Sequence, residues 1–234
     1  MKIAVIGIQG GIREHINSLE QSMNSLKISG EIIWARNKTD LENANGIVIP
    51  GGESTTIKRL MALSGMDKSI KEFARKNLPI LGTCAGAIIL SDLGLIDIKI
   101  ERNSYGRQID SFESKVSTDL GETSGVFIRA PLIKEIFGKA KLFASRNNEI
   151  VGAKQGNISA LTFHPELSKD NLIFNYFLQA IIKIRICMIK LLSMGGFIQV
   201  ISGIKKMVGI TSVIGKRILL LKVVSILFQW KLKK

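Results

Sequence analysis

The chain has 234 residues, 46% of them hydrophobic, and a formal net charge of +14. That length and apolar content exclude a disordered chain and suffice for one substantial core, or for one domain with an appendage. The charge is not spread evenly: residues 183–234 hold 11 Lys or Arg and no acid, which leaves 22 basic against 19 acidic residues in 1–182, so the front portion suits a small-molecule enzyme and no nucleic-acid partner is expected.

Lys2 to Ile8 is an apolar run of strand length, and Gln9-Gly10-Gly11 opens a helical stretch to about Leu26. Strand, turn and helix in that order predict a parallel sheet covered on both faces, whose strands read apolar throughout. These glycines do not form Gly-x-Gly-x-x-Gly, so a dinucleotide site is not expected. Arg13, Glu14 and His15 fall in the first turns of the helix, where charged residues ordinarily form a solvated face. Glu31 to Ala35 and Gly46 to Ile49 read as the second and third strands, with a short polar helix around Thr39 to Asn45 between them. Pro50-Gly51-Gly52-Glu53-Ser54-Thr55 follows at once. Such a turn either presents backbone N–H groups to an anion or simply starts a helix with Ser54 or Thr55 as its cap. Helices are expected over about Thr56 to Leu63 and Asp67 to Lys76.

The next stretch, Leu78 to Leu90, runs from an apolar strand through Gly82-Thr83-Cys84-Ala85-Gly86 into a helix. Gly-x-nucleophile-x-Gly between strand and helix is the pattern of a nucleophile elbow, which presents its side chain at the carboxyl end of a strand. A helix starting near Ala85 aims its positive end at the sulfur and favours thiolate. The other reading of Cys84 is an inert core cysteine.

Beyond the elbow come short β runs: Ile96 to Glu101, Ser111 to Ser117, Gly125 to Arg129, Lys141 to Ser145, Ile150 to Lys154 and Ser159 to Phe163. They predict antiparallel strands extending one edge of the sheet. Glu101 to Gln108 and Phe127 to Pro131 each set an Arg among small or turn residues, fit for a carboxylate or for a surface ion pair. In Phe163-His164-Pro165-Glu166-Leu167, extended backbone would point His164 and Glu166 the same way, as a base and its orienter. A neutral His164 would take the thiol proton of Cys84. A helix from Asp170 to Ile182 closes the domain. Cys84 and Cys187 make no disulfide framework, and no secretory signal pattern stands at the start, so the expected compartment is the reducing cytoplasm.

Taken together, Gly7-Ile8-Gln9-Gly10 with Arg13-Glu14-His15, Pro50 to Thr56, Gly82 to Gly86, Glu101 to Gln108, Phe127 to Pro131 and His164 to Leu167 stand in the order of one family. The chain resembles class I (triad-type) glutamine amidotransferases over residues 2–182, and among them the glutaminase subunits of pyridoxal 5′-phosphate synthase. The resemblance implies an α/β, flavodoxin-like, three-layer mixed sheet. It further implies that Cys84, His164 and Glu166 are catalytic, with a thioester on Cys84 and the oxyanion held near Gly52 and Ala85. Gly52, Glu53, Ser54, Arg102, Ile128 and Arg129 would line the L-glutamine site, with no cofactor and no metal. The ammonia would pass to a (β/α)8 synthase subunit in a large hetero-oligomer, against which the Gln9 to His15 face would lie. Two alternatives remain at this point: a glutaminase serving another class I system, and a non-catalytic redox sensor of the same fold.

Residues 183–234 match nothing in that family pattern and form a basic, apolar extension to the 1–182 domain. The longest uncharged run there, Leu191 to Ile204, is 14 residues, short of the roughly 20 that a membrane span needs. The extension reads as a basic anchor for a membrane or partner, as additional packed helices, or as translated sequence with no structural role.

Overall fold

The structure, a computed structural model, describes residues 1–102, 104 and 111–193, with side chains to 188. Asn103 and Tyr105 to Gln108 of the expected arginine stretch lie outside the described residues, as does the extension beyond Ser193, including the membrane or partner contact considered for it.

Among the described residues the strands are β1 Lys2–Ile6, β2 Glu31–Ala35, β3 Gly46–Ile49, β4 Ile80–Thr83, β5 Ile98–Glu101, β6 Phe112–Thr118, β7 Gly121–Phe127, β8 Leu132–Ile136, β9 Lys141–Arg146, β10 Glu149–Gln155 and β11 Ile158–Leu161. The α-helices are α1 Ile12–Ser25, α2 Ser54–Ser64, α3 Met66–Arg75, α4 Ala85–Asp92 and α5 Leu172–Ser193. One sheet takes in all the strands in the order β2-β1-β3-β4-β11-β10-β9-β6-β7, with β8 joining at β10 and β5 pairing β8. The first five strands of that order run parallel, and the remaining pairs are antiparallel. This is the expected mixed sheet. Strand order reverses between β1 and β3, and in doubly wound sheets the crevice at such a switch point, beyond the carboxyl ends, takes the ligand.

Burial on both faces explains why the parallel strands read apolar without alternation. Ala4, Ile6, Ile47 and Ile49 pack on one side with Ile57 and Met61 of α2 and Ile70 and Phe73 of α3. Ile3, Val5 and Val48 pack on the other with Ile12 and Leu19 of α1 and Phe174 and Leu178 of α5. Residues 1–182 form one compact unit.

Three elements differ from expectation. β8 was not anticipated, since Lys134 and Glu135 interrupt its apolar pattern; it forms because β5 and β10 lie ready to pair with it. The strand expected over Gly125 to Arg129 instead begins at Gly121, as Thr118 pairs Gly121 in a tight hairpin with β6. α5 does not stop near Ile182 but continues to Ser193, because neither Gly nor Pro interrupts the chain before Gly195.

Candidate active site

Four segments meet at the carboxyl ends of adjacent strands: Gly7 to Gly11 after β1, Pro50 to Glu53 after β3, Cys84 after β4, and His164 after β11. Cys84 joins β4 to α4 with φ 47° and ψ −106°. Such a conformation is costly for a side chain with a Cβ, and strain of this kind gathers at functional sites. Its backbone N–H still donates to Leu161 O at 2.8 Å, so the turn is tied to the sheet up to the thiol itself. Gly86 is small for close packing: a Cβ there would lie 2.0 Å from the carbonyl oxygen of Ile49, so α4 rests directly on the β3 backbone.

His164 is held by its own N–H, which donates to Val126 O at 2.8 Å, and Pro165 to Leu167 then forms a 3-10 turn. The expected pairing of His164 with Glu166 is present, 2.6 Å between Nδ1 and Oε1, but the extended geometry expected for it is not. Proline at the first position starts a helical turn and brings the i+2 carboxylate round beneath the ring. The Glu166 side chain is 1% exposed and that of His164 is 13% exposed.

On its other side His164 faces Cys84. The two meet over Gly51, where a Cβ would stand 2.4 Å from His164 Cε1 and 3.2 Å from Cys84 Cβ. Burial works against the charge on His164, yet its bonds to Cys84 and Glu166 and their negative charge outweigh it and push the ring up to about 10. These neighbours favour the protonated form of His164, beside the expectation of a neutral ring that takes the thiol proton. Burial pushes the Glu166 carboxyl up. The charge of His15 and the bond and charge of His164 prevail, and hold it below the usual carboxylate range. Such a row of imidazolium between sulfur and carboxylate suits nucleophilic attack by a thiolate on a carbonyl carbon.

The residues expected to line a glutamine site stand around this row. Glu53 takes the N-cap position of α2, not Ser54 or Thr55, and its N–H donates to Gln9 Oε1 at 2.9 Å. Arg129 reaches across to Glu53 Oε1 at 3.0 Å from a backbone at φ 44°, directly after the half-buried Ile128. Arg102 is turned toward Asp92 Oδ2, 3.1 Å, and Thr55 Oγ1, 3.4 Å, so its guanidinium is spent on α4 and α2. Gly52 is exposed in the turn after β3, and Ala85 is the first residue of α4, whose N–H has no intrahelical acceptor.

Two participants were missed. Gly51 fills the place where a side chain would part His164 from Cys84. His15, expected on a solvated or partner-facing surface, is fully buried and lies 3.3 Å from Glu166 Oε2. The signal was present, because Ile12, His15, Ser18, Leu19 and Ser22 recur at helical spacing on the buried face of α1.

Residues 5–183 match the SNO glutamine amidotransferase family. The chain is 43% identical over 193 residues to a pyridoxal 5′-phosphate synthase subunit PdxT of Thermococcus gammatolerans, covering 76% of this chain and 98% of that protein. It is 42% identical over 196 residues to the PdxT of Pyrococcus horikoshii, covering 78% of this chain and all of that protein. A glutamine amidotransferase crystal structure superposes with a TM-score of 0.68 at 34% identity, covering 76% of this chain and 98% of that one. A GMP synthase component from Thermoplasma acidophilum superposes with a TM-score of 0.62 at 20% identity over 80% and 97%, a likeness of fold. With its mixed sheet and its cysteine elbow beside a histidine and a buried glutamate, the chain belongs to the SNO glutamine amidotransferase family.

Proposed function

We propose that this chain hydrolyses L-glutamine to L-glutamate and ammonia with Cys84, His164 and Glu166, as the glutaminase subunit of a pyridoxal 5′-phosphate synthase. The observation that carries the reading is the row Cys84, His164, Glu166 at the carboxyl ends of β4 and β11, in which His164 is bonded to Glu166 at 2.6 Å and meets Cys84 over Gly51. The sulfur of Cys84 attacks the side-chain amide carbon of glutamine, and the amide oxygen becomes an oxyanion facing the N–H groups of Gly52 and Ala85. His164 gives its proton to the departing nitrogen, ammonia leaves, and a thioester to Cys84 remains. The neutral ring then takes a proton from water as the water oxygen attacks the thioester, and collapse releases glutamate, the thiolate and a protonated His164. Glu166 stays anionic throughout and holds the ring.

The amino-acid end of glutamine is matched by charge. Arg129 suits its α-carboxylate and Glu53 its α-ammonium; their mutual ion pair occupies the same place in the free protein. Ser54 and Ile128 complete the lining, with Arg102 steadying the start of α2.

The ammonia passes to a (β/α)8 synthase subunit within a hetero-oligomer, a reading supported by the PdxT relatives, each matched over nearly its whole length. Residues 1–182 are the amidotransferase domain, and 183–234 an extension that this chemistry does not use; the family match ends at residue 183. The free cysteines Cys84 and Cys187 suit a reducing cytoplasm. Among the described residues no helix is long and apolar enough to cross a membrane.

The test is glutamate formation by the full chain, alone and with the synthase partner of a pyridoxal 5′-phosphate synthase. Turnover that the partner stimulates and that Cys84→Ala abolishes supports the reading. Undiminished turnover in Cys84→Ala refutes the nucleophile, and equal turnover with any other protein in the partner's place refutes the partner.

A further inference from the structure

Among the apolar residues on the buried face of α1 stands one aromatic ring with two polar atoms, and both are engaged inside the site. Nδ1 of His15 lies 2.5 Å from the carbonyl oxygen of Gly11, which can only accept, so this nitrogen carries a hydrogen. Nε2 lies 2.9 Å from Thr83 Oγ1, next to Cys84 in the chain, and 3.3 Å from Glu166 Oε2. His164 takes only Oε1 of that carboxylate, and Oε2 has no hydrogen-bond partner of normal geometry among the described residues. One turn along α1, Ser18 Oγ donates to the backbone carbonyl of Glu166 at 3.3 Å. α1 therefore meets both the side chain and the backbone of Glu166.

The last torsion of a glutamate side chain is broad and roughly two-fold. One bond to His164 leaves the carboxylate free to swing about that contact, and the ring that depends on it swings too. A second ring on the second oxygen removes this freedom. For packing alone a leucine or phenylalanine would serve here, since the neighbours on this face of α1 include Ile12, Leu19 and Met23 beside Ser18 and Ser22, and Phe174 meets the His15 ring edge-on at 6.0 Å.

We infer that His15 is a positioning residue of this active site, its Nε2 edge set against Glu166 Oε2 and Thr83 Oγ1, so that the carboxylate is held between two imidazoles and His164 stays turned toward Cys84. The inference rests on the assignment of Cys84, His164 and Glu166 made above. It also gives α1 a mechanical role, because the segment entering that helix touches the turn after β3, where Gly11 N–H donates to Gly51 O at 3.2 Å.

The experiment compares His15→Gln and His15→Asn in the full chain with its synthase partner. Measured are kcat and KM for glutamine, Tm, and the rate of Cys84 alkylation by iodoacetamide, with Cys84→Ala in parallel. The amide nitrogen of a glutamine reaches about where Nε2 stands, whereas that of an asparagine reaches only Nδ1 and the bond to Gly11. Asparagine should lower kcat about 10–100-fold, the usual cost of losing a group that orients a reacting one, and slow alkylation, with KM nearly unchanged. Glutamine should restore most of both at a similar Tm. Wild-type kcat in the asparagine variant overturns the inference. Equal loss in both variants in step with Tm overturns it too, since packing alone would then explain the residue. Turnover surviving in Cys84→Ala would instead strike the assignment beneath it.

Discussion

His164 and Glu166 are joined at 2.6 Å across a single 3-10 turn, so base and orienter move as one piece hung from the end of β11. Glu166→Gln keeps the shape but removes the charge that keeps the imidazolium in place. Losing the orienter of a histidine in a triad costs on the order of 10⁴-fold in kcat, and that drop is expected here with KM for glutamine changed little. The glutamate is also buried between two imidazoles, so the variant should lose about 3 kcal/mol or more of stability as a broken buried ion pair. Denaturant titration beside steady-state kinetics separates the two effects.

The site should also write itself into the pH dependence of stability. His164 is raised from its ordinary 6.5 to about 10, so its contribution is complete below pH 6.5 and lost as pH climbs toward 10. Glu166 is lowered from its ordinary 4.5, so its contribution is complete above pH 4.5 and lost as pH falls below it. The two overlap in full between about pH 4.5 and 6.5. The Tm gap between the wild-type chain and a His164→Gln, Glu166→Gln double variant should be widest in that window and narrow on both sides. A gap that widens from pH 7 to 10 would contradict the charge assignment. kcat/KM should fall above about pH 10, where His164 loses the proton it must give to the leaving nitrogen.

Much of this was legible in the chain before any coordinates. Cys84 stood out as a candidate because glycines flank it between a strand and a helix, and His164 with Glu166 because residues i and i+2 can face the same way and a cysteine nucleophile needs a base. The geometry joining them was not legible, since a Pro-initiated 3-10 turn and an extended strand both bring i and i+2 together. His15 was hidden by its company, Arg13 and Glu14, although its spacing from Ile12 and Leu19 places it inside. Where β7 ends, at Phe127 shortly before the positive-φ Arg129, is a matter of long-range pairing. So too is β8, whose charged centre is acceptable because Lys134 is exposed and meets Glu101 of β5 at 2.9 Å.

Gly86 tests the packing argument apart from the chemistry. Its added Cβ would meet backbone, the Ile49 carbonyl at 2.0 Å, which cannot turn aside as a flexible side chain does. Gly86→Ala should therefore destabilise the chain by about 3 kcal/mol or more, at the upper end of overpacking costs, and lower the yield of folded protein. Whatever folds should retain the pH profile of the wild type. A variant as stable as the wild type would mean that α4 can rise off β3 without cost.

Gly51→Ala should do the opposite, losing activity with much less loss of fold. The Cβ would press on the His164 ring at 2.4 Å and on Cys84 Cβ at 3.2 Å, and the ring edge can yield by rotating away from the sulfur. A displacement of about 1 Å in a reacting group is worth roughly 100-fold in rate, and kcat should fall by about that much. Alkylation of Cys84 by iodoacetamide should slow in parallel, as the ring no longer faces the sulfur.

Glu53 and Arg129 are 59% and 48% exposed, and an ion pair so open to water contributes only about 0–1 kcal/mol to stability. If the pair exists to receive glutamine, replacing either partner should leave Tm within about a degree or two while weakening substrate binding. A hydrogen bond to a charged group is worth about 1.5–3 kcal/mol, so Arg129→Gln should raise KM for glutamine on the order of 10–100-fold, with kcat less affected. Glu53→Gln should act in the same direction, and glutamine analogues lacking the α-amino group should lose their disadvantage in that variant. If both substitutions leave KM unchanged, the pair is a surface contact and the amino-acid end of the substrate is bound elsewhere.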